Sequence, residues 1–161
     1  MENRRNTSPY FCAVLIYRYL SGVLHFLIVH HSNDGRGPYS IKFPGGCAEL
    51  EDLIDRPPMH PANCRRTLER EVAQETPCRI KPGAVPKRFR ECSIGSHWQY
   101  YYVLAYEDVE WLGGAAKADE TQSGNWVKYD DLAYVLHPSH RSALFAALPR
   151  FGLKIPAQVA R

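Results

Sequence analysis

Two hydrophobic rhythms divide the chain into strands around one central helix. Residues 10–19 (YFCAVLIYRY) are apolar, β-branched and aromatic, which predicts a buried strand. Ser21-Gly22 supplies a tight turn, and residues 23–31 (VLHFLIVHH) predict the hairpin partner. Residues 33–38 have loop composition. Residues 40–43 form a short strand that runs into Pro44-Gly45-Gly46, read as a turn. The proline-rich stretch 52–61 is a connection. A helix follows, with either Pro61 at its first position or Asn63 as its cap, and Pro77 stops it near Thr76. Residues 85–94 and 98–107 predict two more strands, the second (WQYYYVLAYE) with the strongest β character. Residues 113–124 are small and polar, as in a loop. Residues 125–129 read as a strand, and 130–136 and 139–148 as helices. Strands early and late around one helix, with further helices at the end, predict an α+β domain. Its mixed β-sheet should be sandwiched between helices rather than doubly wound and parallel.

The length of 161 residues fits a single domain over residues 1–161. Hydrophobic residues make up 45% and charged residues 23%, enough for a real core. The net charge of +3, with no block of like charge, gives no argument for nucleic acid and suits an anionic small molecule or an ordinary surface equally. The apolar run after the polar start is too short for a signal or a membrane span, so the expected location is cytoplasmic. Five cysteines (Cys12, Cys47, Cys64, Cys78, Cys92), odd in number and widely spaced, read as free thiols in a reducing compartment.

The informative stretch is Arg70-Glu71-Val72-Ala73-Gln74-Glu75. On a helical wheel with Glu71 at zero, Glu75 falls at about 40°, Cys64 at about 20°, Leu68 at about 60° and Val72 at about 100°. The apolar stripe and two carboxylates therefore share a face, while Arg66, Glu69 and Ala73 lie opposite. A solvated helix separates acids from its apolar stripe, and like charges at i and i+4 repel. Something positive belongs between Glu71 and Glu75. Arg70 points about 100° away on the same wheel. A divalent cation is the natural candidate, and oxygen ligands without histidine or cysteine favour Mg²⁺ or Mn²⁺. The alternative is a pair of acids at the rim of the core. The second signal is Phe43-Pro44-Gly45-Gly46 ahead of Glu49, Glu51 and Asp52. Paired glycines let a backbone turn sharply and approach a ligand.

Together these two stretches resemble the Nudix box: Gly, five residues, Glu, seven residues, then Arg-Glu-apolar-x-Glu-Glu-x-Gly-apolar. The box spans Gly46 to Cys78 here, and the order of elements around it agrees with a Nudix-like fold. The resemblance implies that Asp52 takes the place of the first box glutamate and pairs with Arg70, bracing the loop against the helix. It implies that Glu71 and Glu75 bind metal, and that Gly45 and Gly46 bring backbone to the substrate phosphates. Glu120, in the loop shortly before Trp126, matches a further acid that binds metal or activates water. Three departures stand out. Seventeen residues separate Asp52 from Arg70 instead of seven, so the loop carries an insertion. Gln74 replaces one glutamate of the Glu-Glu pair, although its amide oxygen could still coordinate metal. Pro77 replaces the glycine that ends the helix in a left-handed turn.

The expected reaction is attack of water on one phosphorus of a diphosphate linkage in a nucleotide or nucleoside-diphosphate-linked substrate, with Mg²⁺ or Mn²⁺ as cofactor. Glu75, Glu120 and Arg70 are the candidate catalytic residues, Gly45 and Gly46 the substrate-binding ones, and Glu71, Glu75, Glu120 and Gln74 the metal ligands. Gln74 also suits a rival reading, a Nudix-like module that senses a nucleotide without cutting it. Decapping-like action on RNA needs a basic groove that the charge does not require, and a purely structural interaction domain needs no metal. No membrane partner is expected. Many relatives are homodimers, but no stretch of this sequence marks an interface. The alternating Trp98, Tyr100, Tyr101 and Tyr102 suggest that some aromatics face away from the core, where one could stack on a base or simply belong to the sheet. Arg18, Arg36, Lys42 and Arg90 read as surface charges or phosphate contacts.

Overall fold

The computed structural model describes residues 8–31, 40–95, 97–112 and 122–153. Its centre is β1 (Tyr10–Leu20), whose residues Cys12 to Ile16 are all fully buried. Ser21 and Gly22, with φ of 51° and 77°, turn β1 into the antiparallel β2 (Val23–His31). Successive positive φ values match the twist of a tight hairpin, which explains a glycine there. β3 (Ser40–Lys42) adds to β2, and β7 (His97–Ala105) runs parallel to β1 on its other side, with β6 (Lys87–Ile94) beyond. β4 (Gly45–Cys47) pairs with the start of β1, and β9 (Gln122–Lys128) pairs with β2. β5 (Cys78–Ile80) and β8 (Val109–Trp111) make a separate two-stranded ladder.

Both faces of the main sheet are covered. Cys12, Val14 and Ile16 of β1 point to α1 (Pro61–Glu75), with Tyr100, Tyr102 and Leu104 of β7 beside them. Ala13, Leu15, Tyr101 and Val103 point the other way, onto the one-turn helix α2 (Tyr129–Leu132) and onto α3 (Pro138–Arg150). The expected mixed sheet between helices is the one observed. It also corrects the reading of the tyrosines. Tyr100, Tyr101 and Tyr102 are all buried, because alternating residues have a core on either side. Trp98 is the exposed member, stacked on Tyr100 at 6.2 Å.

Other boundaries shift for local reasons. Gly45 and Gly46 are strand residues rather than a turn. His60, not Asn63, caps α1: its Nδ1 accepts the Ala62 N–H at 3.0 Å, and Pro61 takes the first helical position. β6 begins after Pro86, leaving Val85 exposed and outside it, and residues 106–108 form a 3-10 turn rather than continuing β7. The helix expected at 130–136 shrinks to α2. At the exit of α1, Thr76 is extended, and its hydroxyl donates to the Val72 carbonyl at 2.7 Å while accepting the Cys78 N–H at 3.1 Å. That threonine ends the helix without the left-handed glycine that Pro77 displaces.

The insertion, residues 53–60, is stitched to the first turns of α1. Buried Asn63 donates to the carbonyls of Asp55 and Pro58 at 2.9 Å each and accepts the Asp55 N–H at 2.9 Å. Arg66 pairs with Asp55 at 2.5 Å. The extra residues thus fold back on the helix they precede, and Asp52 stays at the position where it can reach Arg70. No helix among the described residues is long and apolar enough to cross a membrane.

Candidate active site

The second half of α1 and strand β4 meet at Arg70. Its guanidinium grips Asp52 twice, Nη2 to Oδ2 at 2.9 Å and Nε to Oδ1 at 3.3 Å. It also donates to the Cys47 carbonyl at 3.1 Å, to Glu71 Oε1 at 2.8 Å and to Gln74 Oε1 at 3.2 Å. Glu49 and Glu51 stand at 3.5 and 3.6 Å. Asp52 closes the other side of the clamp by accepting the Glu49 N–H at 3.0 Å and the Thr67 hydroxyl at 2.9 Å, and Thr67 in turn meets the Tyr10 hydroxyl at 2.9 Å. Burial by itself would raise the Asp52 pKa. Hydrogen bonds from Arg70, the Glu49 amide and Thr67 outweigh it and hold the carboxyl below its usual range.

Several acids gather around this guanidinium. Asp52, Glu49, Glu51 and Glu71 all lie within ion-pair range of Arg70, and Glu75 follows one helical turn on. Glu71 is 8% exposed and Glu75 2%, so the two helix carboxylates sit where solvent screens them little. The glycines explain how Glu71 fits. A Cβ on Gly46 would stand 2.1 Å from Glu71 Oε1, so β4 leaves room for that carboxylate only because position 46 has no side chain. At Gly45 the missing side chain serves the sheet: a Cβ there would meet the Cys12 carbonyl oxygen at 2.2 Å. Neither glycine has a positive φ, so close approach, not turning, is what requires them.

The sequence-derived candidates therefore separate. Arg70, Glu71, Gly46 and Asp52 come together as expected. Arg70 differs in one respect: although its Cα–Cβ direction is far from Glu71 on the wheel, its long side chain folds back and supplies positive charge to that acid. Gln74 turns its acceptor oxygen to Arg70 at 3.2 Å. Glu120 and Arg36 lie outside the described residues. Arg18 lies over the rings of Trp126 and Tyr106, at 4.1 and 4.9 Å. Thr67, Tyr10, Glu49 and Glu51 were missed as parts of the clamp. Thr67 carried a readable signal, a polar residue one turn before Arg70 on the apolar face of the helix.

A set of strands and helices in this order, with a glycine-rich strand against the acid-bearing half of one helix, is specific enough to compare. Over 96% of both chains it superposes on a Nudix hydrolase from Nitrosomonas europaea, with a TM-score of 0.63 and 13% identity. The chain has the Nudix fold. The Nudix domain of Shewanella oneidensis NrtR, solved with ADP-ribose, gives 0.63 and 14% identity over 89% of this chain and 88% of that one. A Caenorhabditis elegans Ap4A hydrolase gives 0.56 and 16% over 89% and 97%. No family model and no curated protein matches the sequence.

The donor chemistry of this site suits a hard cation. The helix presents carboxylate oxygens, and the space that Gly46 leaves beside the strand is taken by the Glu71 carboxylate. Among the described residues no group of three or more His, Cys, Asp or Glu side chains stands ready as a complete ligand set.

The two glycines should separate stability from site geometry. Gly45→Ala collides with the β1 backbone and should destabilise the protein by about 3 kcal/mol in denaturant unfolding. Gly46→Ala collides only with the end of a side chain, so it should cost about 1 kcal/mol or less while displacing the Glu71 carboxylate. Equal costs would contradict the geometry. Asp52 should give a pH signature. Its native pKa is depressed, so its stabilisation is complete above the unfolded value of about 3.9 and is lost as pH falls through the native one. The stability gap between the protein and Asp52→Asn should hold from pH 7 to pH 5 and shrink below about pH 4. A gap that persists undiminished at lower pH would refute the clamp's charge.

Proposed function

We propose that the chain is a divalent-cation-dependent hydrolase that cuts a diphosphate linkage in a nucleotide or nucleoside-diphosphate-linked substrate. The observation that carries this reading is the gathering of carboxylates at α1. Among the described residues four carboxylates lie within ion-pair range of Arg70, and the Glu71 carboxylate is held against a glycine on the buried face of the helix that also carries Glu75. A cluster of carboxylate oxygens around two buried helix acids suits a hard divalent cation.

Glu71 and Glu75 would hold Mg²⁺ or Mn²⁺. When bound, such an ion neutralises phosphate oxygens and makes a coordinated water more acidic. The chain's own residues supply the rest. Asp52 and Thr67 fix Arg70, and Arg70 fixes Glu71, so the carboxylate keeps its position without rearranging during the reaction. Glu75 is the base that takes the proton of the attacking water at its carboxylate, with Glu120 the alternative acceptor. A buried carboxylate suits that task because it exchanges little with bulk water. The nucleotide part of the substrate is supported by relatives of the fold: one is solved with ADP-ribose and another is an Ap4A hydrolase.

A sensor without turnover is the second reading. Gln74 in place of a glutamate and the 2.8 Å contact between Arg70 and Glu71 favour it, because both reduce the free charge offered to a cation. Turnover of a panel that includes ADP-ribose and Ap4A, assayed with Mg²⁺ or Mn²⁺, decides between them. The hydrolase should release phosphorylated products, and Glu75→Gln should lower kcat by roughly 100-fold or more while still binding. Metal-dependent binding with no turnover would establish the sensor, and neither binding nor turnover would overturn both readings.

A further inference from the structure

Between the first half of α1 and the edge strand β6 lies a cavity of about 450 Å³. Small-molecule sites occupy about 300–1,000 Å³ and are mostly apolar, with a few polar groups that fix the ligand. The floor here is apolar, since Leu68 of α1 and Tyr102 of β7 line the cavity and are buried. The rim carries two exposed apolar residues, Pro61 at the start of the helix and Val85 just before β6. Val85 is 69% exposed, an apolar side chain that a ligand in the cavity would cover.

The charged groups that line the cavity are all of one sign. They are the guanidiniums of Arg65 and Arg88, and among the described residues no acid lines it. Arg65 fastens the rim to the helix by donating to the Ala84 carbonyl and, at 3.4 Å, to the Lys81 carbonyl. The Ala84 N–H closes that turn onto the Lys81 carbonyl at 3.1 Å. The space between rim and helix is therefore preformed, which spares a ligand the cost of ordering it. Arg88 is fixed as firmly. It donates to the Tyr102 hydroxyl at 3.0 and 2.8 Å and lies over the Tyr100 ring at 3.9 Å. Each guanidinium also meets an exposed acid, Glu69 at 2.6 Å and Glu91 at 3.2 Å. The Nη1 atoms each carry two N–H groups and use one, on the Ala84 carbonyl and on Glu91, so each keeps a donor.

We propose that this cavity binds a small carboxylate with an apolar body, its head paired with Arg65 or Arg88 and its body on Leu68, Tyr102 and Val85. The sign of the charge selects the head, because a carboxylate matches the guanidinium fork and an ammonium would be repelled. Exposed ion pairs contribute little, so a ligand carboxylate that shares or displaces Glu69 or Glu91 loses little. The floor selects the body, because polar groups buried there would lack partners, whereas an aliphatic chain or an aromatic ring gains by leaving water. The cavity is separate from the proposed hydrolytic site, which uses Arg70, Glu71 and Glu75 in the second half of α1, and its occupation does not depend on that activity.

Isothermal titration calorimetry of the full chain with decanoate and with naphthoate tests the proposal, with decanol and decylammonium as neutral and cationic counterparts. At least one carboxylate should bind saturably, one per chain, and about tenfold or more tighter than either counterpart. Val85→Glu places a like charge at the rim, and Ala62→Trp fills the space from the helix side. Each should weaken that binding by about tenfold or more, with the circular dichroism spectrum unchanged. Decanoate preferred over naphthoate would assign an aliphatic body, and the reverse an aromatic one. Absence of saturable binding by both carboxylates would overturn the proposal. So would decanol binding as tightly as decanoate, or carboxylate binding that survives Val85→Glu undiminished. If Ala62→Trp does not fold, Val85→Glu, at an exposed position, decides alone.

Discussion

Arg70 and Asp52 hold the site together across a loop that has grown. A buried guanidinium with a buried carboxylate is stable only when nearly every donor and acceptor is used. Here the carboxylate has Arg70, Thr67 and the Glu49 amide, and the guanidinium has Asp52, Glu71, Gln74 and the Cys47 carbonyl. The Cys47 contact ties β4 to α1, and the Asp52 contact ties on the turn that follows it. Residues 53–60 can then be long without loosening the site, because Asn63 and Arg66 bind them to the helix and they do not have to span anything.

The same clamp gives the glycines their meaning. β4 lies so close to β1 and α1 that position 45 has no space beside the Cys12 carbonyl and position 46 none beside the Glu71 carboxylate. Fixing β4 by Arg70 fixes the wall against which Glu71 rests. A short strand, a helix and one arginine thereby place a carboxylate at a position that neither element would define alone. The carboxylates gathered around Arg70 are the feature on which the proposed cation site rests.

The larger elements were legible because their patterns are long. The strands β1, β2 and β7 and the helix α1 each carry enough apolar residues to show their period. The three-residue strands β4, β5 and β8 are too short for any period, and their pairing depends on partners distant in sequence. Tyr100, Tyr101 and Tyr102 misled because alternation marks two faces without saying whether both are covered. In the site, the Asp52–Arg70 pairing followed from the Nudix resemblance despite the insertion, and the facing of Glu71 and Glu75 followed from the wheel. The return of Arg70 to Glu71 did not, since a wheel records where Cβ points and not how far four bonds of side chain can bend back. The clamp roles of Thr67 and Tyr10 depend on a tertiary contact between β1 and α1.

The central claim is that this clamp presents Glu71 and Glu75 to a divalent ion. A crystal soaked in Mn²⁺ and measured for anomalous scattering tests it most directly. The account expects a manganese peak at bonding distance from both carboxylates, with Arg70 still on Asp52. Saturating Mn²⁺ that leaves no peak there, with the Arg70 guanidinium still the counter-charge of Glu71, would contradict it.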